Sequence, residues 1–221
     1  MTTSTNVPSK GAIERAAGEF QLTLNGEQVL QIQQYTKILL VWNDKVNLTA
    51  IRDPLEILYR HHCESMFGAS LLPVENCRLA DVGSGGGFPG IPMKIFRPDL
   101  TVFLIESNVK KATFLAEVVR DLGLTGTRVL VSRYEELGEE LAPLDVVCSR
   151  ALGDFSKFLA WAASPHVDAR QALLWLGGRD IDEVRALPGW TWEDPKPVPR
   201  SLQRYLALGS RVQGSEPQVP S

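Results

Sequence analysis

The chain has 221 residues and no surplus of basic charge, since 23 Lys and Arg residues stand against 26 Asp and Glu residues. The net charge is -3 at pH 7 and the sequence pI is about 5.7. This length suffices for one principal domain with a buried core. The negative balance excludes a protein that binds polyanions through its overall charge, so any contact with nucleic acid requires a local basic patch.

Cysteine usage and hydropathy argue against several further classes of protein. Cys63, Cys77 and Cys148 are odd in number and widely spaced, which argues against both a disulfide framework and a zinc site. No apolar run approaches the roughly 18 residues that a membrane span needs, and the first residues lack the pattern of a secretory leader. We therefore expect a cytoplasmic protein that binds neither a metal nor a membrane, and we expect it to be a monomer.

Helices are predicted for the N-terminal part of the chain. Residues 1–20 and 210–221 are expected to be poorly ordered, because the two ends are rich in Ser, Thr, Pro and Gln. Between Asn25 and Asp44, apolar residues recur at three- and four-residue steps, which indicates an amphipathic helix. The run Asp53-Pro54-Leu55-Glu56 predicts the start of a second helix, with an N-cap acid and a proline at the first helical position. Residues 21–76 thus form a predicted helical extension.

From Cys77 onward, short apolar runs alternate with helical segments. The runs "RLADV", "TVFLIE", "RVLVS" and "LDVVCS" predict strands, and residues 108–122 predict one of the helices between them. Later strands are predicted at 172–176 and 205–208. This alternation is typical of an α/β fold with a doubly wound, Rossmann-like parallel sheet covered on both faces. Residues 77–209 form this predicted domain, and its strand order stays open.

The stretch "DVGSGGGFPGIP" follows the first predicted strand directly. Gly85, Gly87 and Gly90 satisfy the dinucleotide pattern G-x-G-x-x-G, whereas Asp81, Gly83, Gly85 and Gly87 satisfy D-x-G-x-G-x-G, a pattern of S-adenosylmethionine-dependent methyltransferases. In a doubly wound sheet, the first turn from strand to helix is where a nucleoside ligand meets the backbone. The loop therefore predicts such a ligand and leaves both cofactors open.

Polar residues at the ends of the next three strands are further candidates. Glu106 ends the second strand, where a carboxylate can accept hydrogen bonds from ribose hydroxyls of either cofactor. Tyr134 and Glu135 follow the third strand, where they can lie beside an adenine. Arg150 follows the fourth strand and needs an anion, which can be a cofactor carboxylate, an RNA phosphate or a buried structural acid. Cys148, which alternates with Val146, is expected in the core.

The catalytic residues are not assigned. The fourth strand ends in Cys148-Ser149-Arg150-Ala151 and lacks the [N/D]-P-P-[Y/F] motif that methyltransferases acting on exocyclic amines commonly carry. We expect no general base and no cysteine nucleophile. Six basic residues around the loop mouth form the hypothesised RNA-facing patch: Arg52, Arg60, Lys94, Arg97, Lys110 and Lys111. Lys110 and Lys111 lie in the first turn of a predicted helix, where the dipole disfavours cations.

Several blocks together resemble one known family. "NLTAIRDPLEILYRHHCES", "LADVGSGGGFPGIPMKIFRP", "ESNVKKATFLAEV", "SRYEEL" and "SRAL" are similar, in order and spacing, to blocks of the GidB family, also called RsmG. Its members are bacterial enzymes that methylate N7 of a guanine, usually numbered 527, in 16S ribosomal RNA. The most specific elements are the F-P-G-I-P extension of the glycine loop and the N-L-T-A-I-R-D-P block.

The resemblance implies a class I methyltransferase fold with S-adenosylmethionine as cofactor and 16S rRNA or the small ribosomal subunit as partner. Gly83 and Phe88 would then border the cofactor, and Gly85 lies in the same loop. Tyr134 and Glu135 would hold its adenine end, and Arg150 matches the arginine of the family's S-R-A.

This chain departs from the family at two positions and in its C-terminal tail. Glu64 replaces an Asp, and Gly177-Gly178 replaces a Lys-Gly, with Arg179 close enough to substitute for the lysine. Arg204 of the closing strand is kept. Guanine N7 carries no proton, so this acceptor agrees with the missing base. The alternatives are an NAD-dependent oxidoreductase and a non-catalytic, cofactor-binding module associated with ribosomes.

Overall fold

One mixed sheet organises the residues that the computed structural model describes, which are 7–72, 75–150 and 153–212. Its strands are β1 (Arg78–Val82), β2 (Thr101–Ile105), β3 (Thr127–Leu130), β4 (Leu144–Ser149), β5 (Ala169–Gly177), β6 (Trp190–Trp192), β7 (Lys196–Pro197) and β8 (Arg204–Arg211). The strand order is β3-β2-β1-β4-β5-β8-β6, and β7 pairs with β8. Strands β1 to β5 run parallel to one another, whereas β8 runs antiparallel to β5. The order reverses between β1 and β4, which is where such sheets bind ligands.

Capping side chains stand at the start of several helices. The helices are α1 (Lys10–Glu19), α2 (Gly26–Asn43), α3 (Pro54–Ile57), α4 (Glu64–Ser70), α5 (Gly90–Phe96), α6 (Val109–Asp121), α7 (Phe155–Ala162) and α8 (Asp180–Arg185), with a π-helical segment, Leu58–Cys63, between α3 and α4. The side chains of Asn25, Asp53 and Asn108 accept hydrogen bonds from amides of the first turns of α2, α3 and α6. None of these helices, within the described ranges, is both long and apolar enough to cross a bilayer.

The two chain ends contain more structure than their composition suggests. Residues 1–20 were expected to be poorly ordered, but α1 forms from Lys10 because the Ser9 side chain accepts from the Ala12 amide and Ile13 is buried. Residues 210 and 211 were assigned to a disordered tail, yet they complete β8 and pair with β5 and β6. The remaining terminal residues, 1–6 and 213–221, lie outside the described residues.

Helices cover both faces of the sheet, which confirms the predicted doubly wound class. Helices α1, α2, α4, α5 and α6 share one apolar core with the face that carries Val146 and Cys148. Helices α7 and α8 cover the opposite face, where Val147 and Phe158 are buried. Burial raises the pKa of the Cys148 thiol well above its usual value, as expected for a core residue. The N-terminal helices therefore have no core separate from the sheet in the described part of the chain.

Candidate functional site

The glycine loop opens at the carboxyl end of β1. Gly83, Gly85 and Gly87 have φ angles of +72°, +56° and +84°, a region that side chains disfavour. A Cβ added at Gly83 would meet no atom within 4 Å, and one at Gly85 would meet only the Gly83 carbonyl oxygen, at 3.7 Å. Gly83 and Gly85 therefore border open space and form a cradle that a ligand can enter.

Gly87 and Gly90 of the same loop are required by packing. A Cβ at Gly87 would lie 2.5 Å from Ile91 Cδ1 and from Tyr35 Oη, and a Cβ at Gly90 would lie 2.5 Å from Leu104 Cδ2. These positions need glycine because neighbouring side chains already fill the space. The spacing of the motif does not distinguish these glycines from the two that face the cradle.

Asp81 supports the loop from below. Its side chain is fully buried, and Oδ2 accepts a hydrogen bond of 3.0 Å from the Gly90 amide. Oδ1 has no hydrogen-bond partner among the described residues. Burial raises the pKa of this carboxyl group to about 7, because desolvation disfavours its charged form.

Glu106 lies across from the cradle, at the carboxyl end of β2. Its Oε2 accepts from the Gly85 amide at 2.9 Å, and its Oε1 accepts from the Asn108 amide at 2.8 Å. The carboxylate thus fixes the loop to the neighbouring strand. Each oxygen keeps a second lone pair, so the group can also accept from the hydroxyls of a ribose.

Tyr134 and Glu135 occupy a short 3-10 turn, Tyr134–Glu136, that follows β3 at the same edge of the sheet. The Tyr134 ring packs edge-on against Trp161, with ring centroids 5.0 Å apart. Glu135 Oε1 lies 2.7 Å from Lys157 Nζ. The strand order places this turn beyond Glu106, in the direction that an adenine would extend from a ribose held there.

Phe88 contacts the N-terminal helices. Its ring stacks on His61 and Tyr35, with centroid distances of 4.4 Å and 5.3 Å, and only 9% of its surface is exposed. The Tyr35 hydroxyl donates to the Gly86 carbonyl oxygen of the loop. Desolvation lowers the pKa of His61 to about 3, so this stack is uncharged at neutral pH. These contacts make Phe88 an anchor of the loop, whereas the sequence suggested a wall of the cofactor site.

Arg150 finds a buried structural acid, which is one of the three anions considered for it. Its Nη2 lies 3.3 Å from Glu64 Oε2 and also donates to the Arg60 carbonyl oxygen at 2.8 Å, while Nη1 lies 3.3 Å from Ser65 Oγ. Glu64 Oε1 accepts a hydrogen bond of 2.6 Å from Nη2 of a second arginine, Arg204. Burial lowers the pKa of Arg150, although the guanidinium stays charged because its ordinary pKa is so high.

The assignment of two residues, Lys94 and Arg97, to the hypothesised RNA-facing patch is wrong. Lys94 is 5% exposed, and its Nζ donates to the carbonyl oxygens of Pro98 and Leu100. Arg97 forms a bidentate pair with Asp99, 2.7 Å and 2.8 Å between their atoms. Helix α5 runs away from the loop mouth, so these residues come to the opposite edge of the sheet, next to the start of β2.

The other four members lie at or near the carboxyl edge. Arg60, Lys110 and the side chain of Arg52 are exposed, and Lys111 is half-buried. Arg52 Nη1 lies 3.4 Å from Asp44 Oδ1. Their contact with RNA stays a prediction. Gly177 ends β5, at the position where the family resemblance predicts a lysine, and exposed Arg179 lines a cavity of about 410 Å³ beside it. The described residues contain no group of three or more potential metal ligands.

Two residues that support the site, Tyr35 and Asn43, were not identified from the sequence. Tyr35 gave no signal beyond the helical period of α2. Asn43 Oδ1 accepts from the Leu48 and Thr49 amides at 2.8 Å and 3.0 Å, and so holds the N-L-T segment against the loop. Only the presence of that segment in the family-like block hinted at a role for it.

The residues at this edge fit a nucleoside-bearing cofactor, because an open glycine cradle faces a carboxylate that can accept from a ribose. Comparison with known proteins decides which one. The sequence profile of GidB, described as rRNA small subunit methyltransferase G, matches residues 28–189. The chain belongs to this family.

Relatives from several bacteria support this assignment. The chain is 38% identical to the ribosomal RNA small subunit methyltransferase G of Chloroflexus aggregans over 89% of this chain and 78% of that protein. It is 37% identical to the protein of the same name from Pseudomonas fluorescens, over 84% and 86% of the two chains. A third such protein, from Desulforamulus reducens, is 37% identical over 77% and 72%.

Solved structures show the same fold at low sequence identity. A SAM-dependent methyltransferase from Aquifex aeolicus is 16% identical, with a TM-score of 0.60 over 75% of this chain and 97% of that one. A ribosomal protein L11 methylase from Lactobacillus delbrueckii is 17% identical, with a TM-score of 0.52 over 69% and 79%. The Rossmann-like methyltransferase fold is thereby confirmed.

Membership of the family makes this protein an S-adenosylmethionine-dependent rRNA methyltransferase. The nicotinamide alternative, which the glycine spacing alone left open, is set aside. S-adenosylmethionine is accordingly the cofactor of this protein.

Proposed function

We propose that this enzyme methylates N7 of the guanine usually numbered 527 in 16S ribosomal RNA. The observation that carries the proposal is the cradle of Gly83 and Gly85 opposite Glu106, at the reversal of strand order. The family membership adds the class of RNA. The absence of a deprotonating residue at the end of β4 favours an acceptor atom that carries no proton.

The cofactor residues are assigned by position along the sheet edge. Gly83 and Gly85 let the ligand approach the backbone, Glu106 accepts from the ribose hydroxyls, and Tyr134 and Glu135 flank the adenine. Arg150 is fixed by Glu64 and its neighbours on Nη1 and Nη2. Its Nε has no partner among the described residues and is free to donate to a carboxylate.

The chain's own residues supply orientation and not proton transfer. S-adenosylmethionine, when bound, carries the methyl group on a cationic sulfur. Guanine N7 has a free lone pair, so attack requires alignment and exclusion of water. Cys148 is buried with a raised pKa, and Asp81 lies beneath the loop. Neither group reaches the open side of the cradle.

The RNA approaches the carboxyl edge of the sheet through a local patch. Arg52, Arg60, Lys110 and Lys111 supply positive charge there, in a chain whose total charge is negative. We place the enzyme in the cytoplasm, where its substrate is made, and we propose that it acts as a monomer. Arg179 stands in for the family's lysine at position 177.

Transfer of labelled methyl groups tests this function. The protein is incubated with methyl-labelled S-adenosylmethionine and small ribosomal subunits that lack the modification, and the RNA is digested for nucleoside analysis. We expect the label in 7-methylguanosine, and much less of it with a Gly83→Val variant, whose side chain would enter the cradle. Cofactor binding without transfer would instead favour the non-catalytic, ribosome-associated module.

A further inference from the structure

A second cavity, of about 480 Å³, lies beside the cofactor edge. Its walls come from the start of α3, the π-helical segment, the loop between β7 and β8, and the start of β8, and they include Leu55, Glu56, Tyr59, Arg60, Arg200 and Arg204. A cavity of this volume can take a nucleotide-sized ligand. It is built from other elements than the glycine cradle, so a ligand bound there would be distinct from the cofactor.

Arg200 presents a fixed guanidinium to this cavity. Its Nη1 lies 2.5 Å from Glu19 Oε2, and its guanidinium carbon lies 4.1 Å from the centroid of the Tyr59 ring. The Tyr59 hydroxyl donates to the other oxygen of Glu19 at 2.9 Å. The Arg200 side chain is still 53% exposed. One face of the flat cation is therefore supported from within, and the side chain stays accessible from outside.

The backbone at Arg200 is strained. Its φ angle is +62°, a region that costs a side chain energy and that glycine or asparagine occupies more readily. Strained residues of this kind are concentrated at functional sites. An arginine held at this position is thus placed by the fold and not by local preference.

Charge balance in the cavity argues against a phosphate as the ligand. Three arginines, Arg60, Arg200 and Arg204, face the acids Asp53, Glu56 and Glu64, and Arg204 is paired with Glu64. An RNA backbone requires a surplus of positive charge, which this cavity lacks. The flat Arg200 guanidinium is surrounded by hydrogen-bond donors and acceptors. Such a site suits an uncharged aromatic ring with polar edges.

The cavity adjoins the strands that end at the cofactor site. The carbonyl oxygen of Arg60 accepts from Arg150 Nη2 at 2.8 Å, and Arg204 pairs in register with Gly177 at the carboxyl end of β5. We propose that this cavity binds a nucleobase of the RNA, splayed from its stack onto the Arg200 guanidinium, beside the guanine to be methylated. The inference rests on the proposed function and adds a second RNA-binding site to it.

Two substitutions of Arg200 separate stacking from charge. Arg200→Lys keeps the charge and loses the flat surface, and Arg200→Asn loses both while tolerating the positive φ angle. Affinity is measured for unmodified small subunits with S-adenosylhomocysteine present. We expect both variants to bind about tenfold more weakly, as for loss of a base stack, with unchanged affinity for S-adenosylhomocysteine. Arg120→Lys, an exposed position paired with Asp121 on α6, is the matched control and should bind normally.

The affinities of the two variants distinguish a stacked nucleobase from a phosphate contact. If Arg200→Lys binds like the wild type and Arg200→Asn does not, Arg200 contacts a phosphate by charge, and the nucleobase proposal is overturned. If both variants bind like the wild type, the cavity does not hold RNA. Wild-type protein that binds the subunits but transfers no methyl group would refute the proposed function, while the comparison of affinities would still decide the nucleobase site. Thermal melting of each variant checks that it is folded.

Discussion

At the scale of single residues, the glycines of the loop divide by what lies beyond their α-carbons. Gly83 faces open space, whereas a Cβ at Gly90 would lie 2.5 Å from Leu104 and 2.8 Å from Asp81 Oδ2. The same substitution should therefore fail for different reasons at the two positions. Gly83→Ala narrows a ligand site, and Gly90→Ala overfills a packed core.

Paired measurements on Gly83→Ala and Gly90→Ala test this division. We expect Gly83→Ala to weaken binding of S-adenosylhomocysteine about tenfold, with a loss of about 1 kcal/mol in unfolding free energy from its positive φ angle. Gly90→Ala should lose about 2 kcal/mol or more through overpacking. Calorimetry and urea unfolding give the two quantities. Normal ligand affinity in a folded Gly83→Ala protein would contradict the assignment of the cradle.

Asp81 gives the protein a pH-dependent stability. Its pKa is about 7 in the fold, against 3.8 as the ordinary value, so between these pH values the folded state binds the extra proton. Stability then falls as pH rises from about 4 to about 7. Relative to Asp81→Asn, the wild type should lose about 3 kcal/mol in unfolding free energy between pH 5 and pH 8. Urea titrations at both pH values check this, and a constant difference between the two proteins would refute it.

At the scale of elements, α6 has two basic residues where its dipole disfavours them. Lys110 and Lys111 occupy the first turn after the Asn108 cap, with no ion-pair partner among the described residues. The unfavourable placement is consistent with a role outside folding, such as contact with RNA.

Charge reversal at these lysines should separate folding from binding. We expect Lys110→Glu/Lys111→Glu to raise the unfolding free energy by about 0.5 kcal/mol, since acids suit a helix N-terminus, and to lower affinity for small subunits, with a shallower dependence on salt. Filter binding at several salt concentrations and urea unfolding measure the two effects. Unchanged binding would remove α6 from the RNA-facing surface.

Elements were predictable where their chemistry is local. Asp53 and Asn108 marked helix starts because each cap bonds an amide two or three residues ahead, and the periodicity of α2 marked that helix. The glycine loop and Glu106 were found because strand ends share one edge. Lys94 was misplaced because proximity along the chain says nothing about the direction in which α5 leaves the loop. The anion of Arg150 stayed open because Glu64 is 86 residues away in sequence.

At the scale of the whole molecule, Glu64 connects the N-terminal helices to the sheet. It is 1% exposed and bridges Arg150 after β4 and Arg204 at the start of β8. A buried acid that balances two arginines is costly to neutralise, because removing one partner leaves the others without compensation.

Neutralising Glu64 should destabilise the entire fold. We expect Glu64→Gln to lose about 3 kcal/mol of unfolding free energy, a value at the low end of the range since Arg204 is partly solvated. Glu64→Asp, which introduces the residue that the family resemblance predicts here, should lose less because it keeps the charge. Urea unfolding compares the three proteins. Equal losses in both variants would mean that the length of the side chain matters as much as its charge, and an unchanged stability of Glu64→Gln would contradict the prediction.

The position of the transferred methyl group tests the central claim most directly. Small subunits lacking the modification are treated with the enzyme and S-adenosylmethionine, their 16S rRNA is cleaved chemically at 7-methylguanosine, and the break is mapped by primer extension. A single new stop at the guanine usually numbered 527, dependent on both enzyme and cofactor, is the predicted result. A methyl group at another nucleotide, or on an exocyclic nitrogen, would contradict the account.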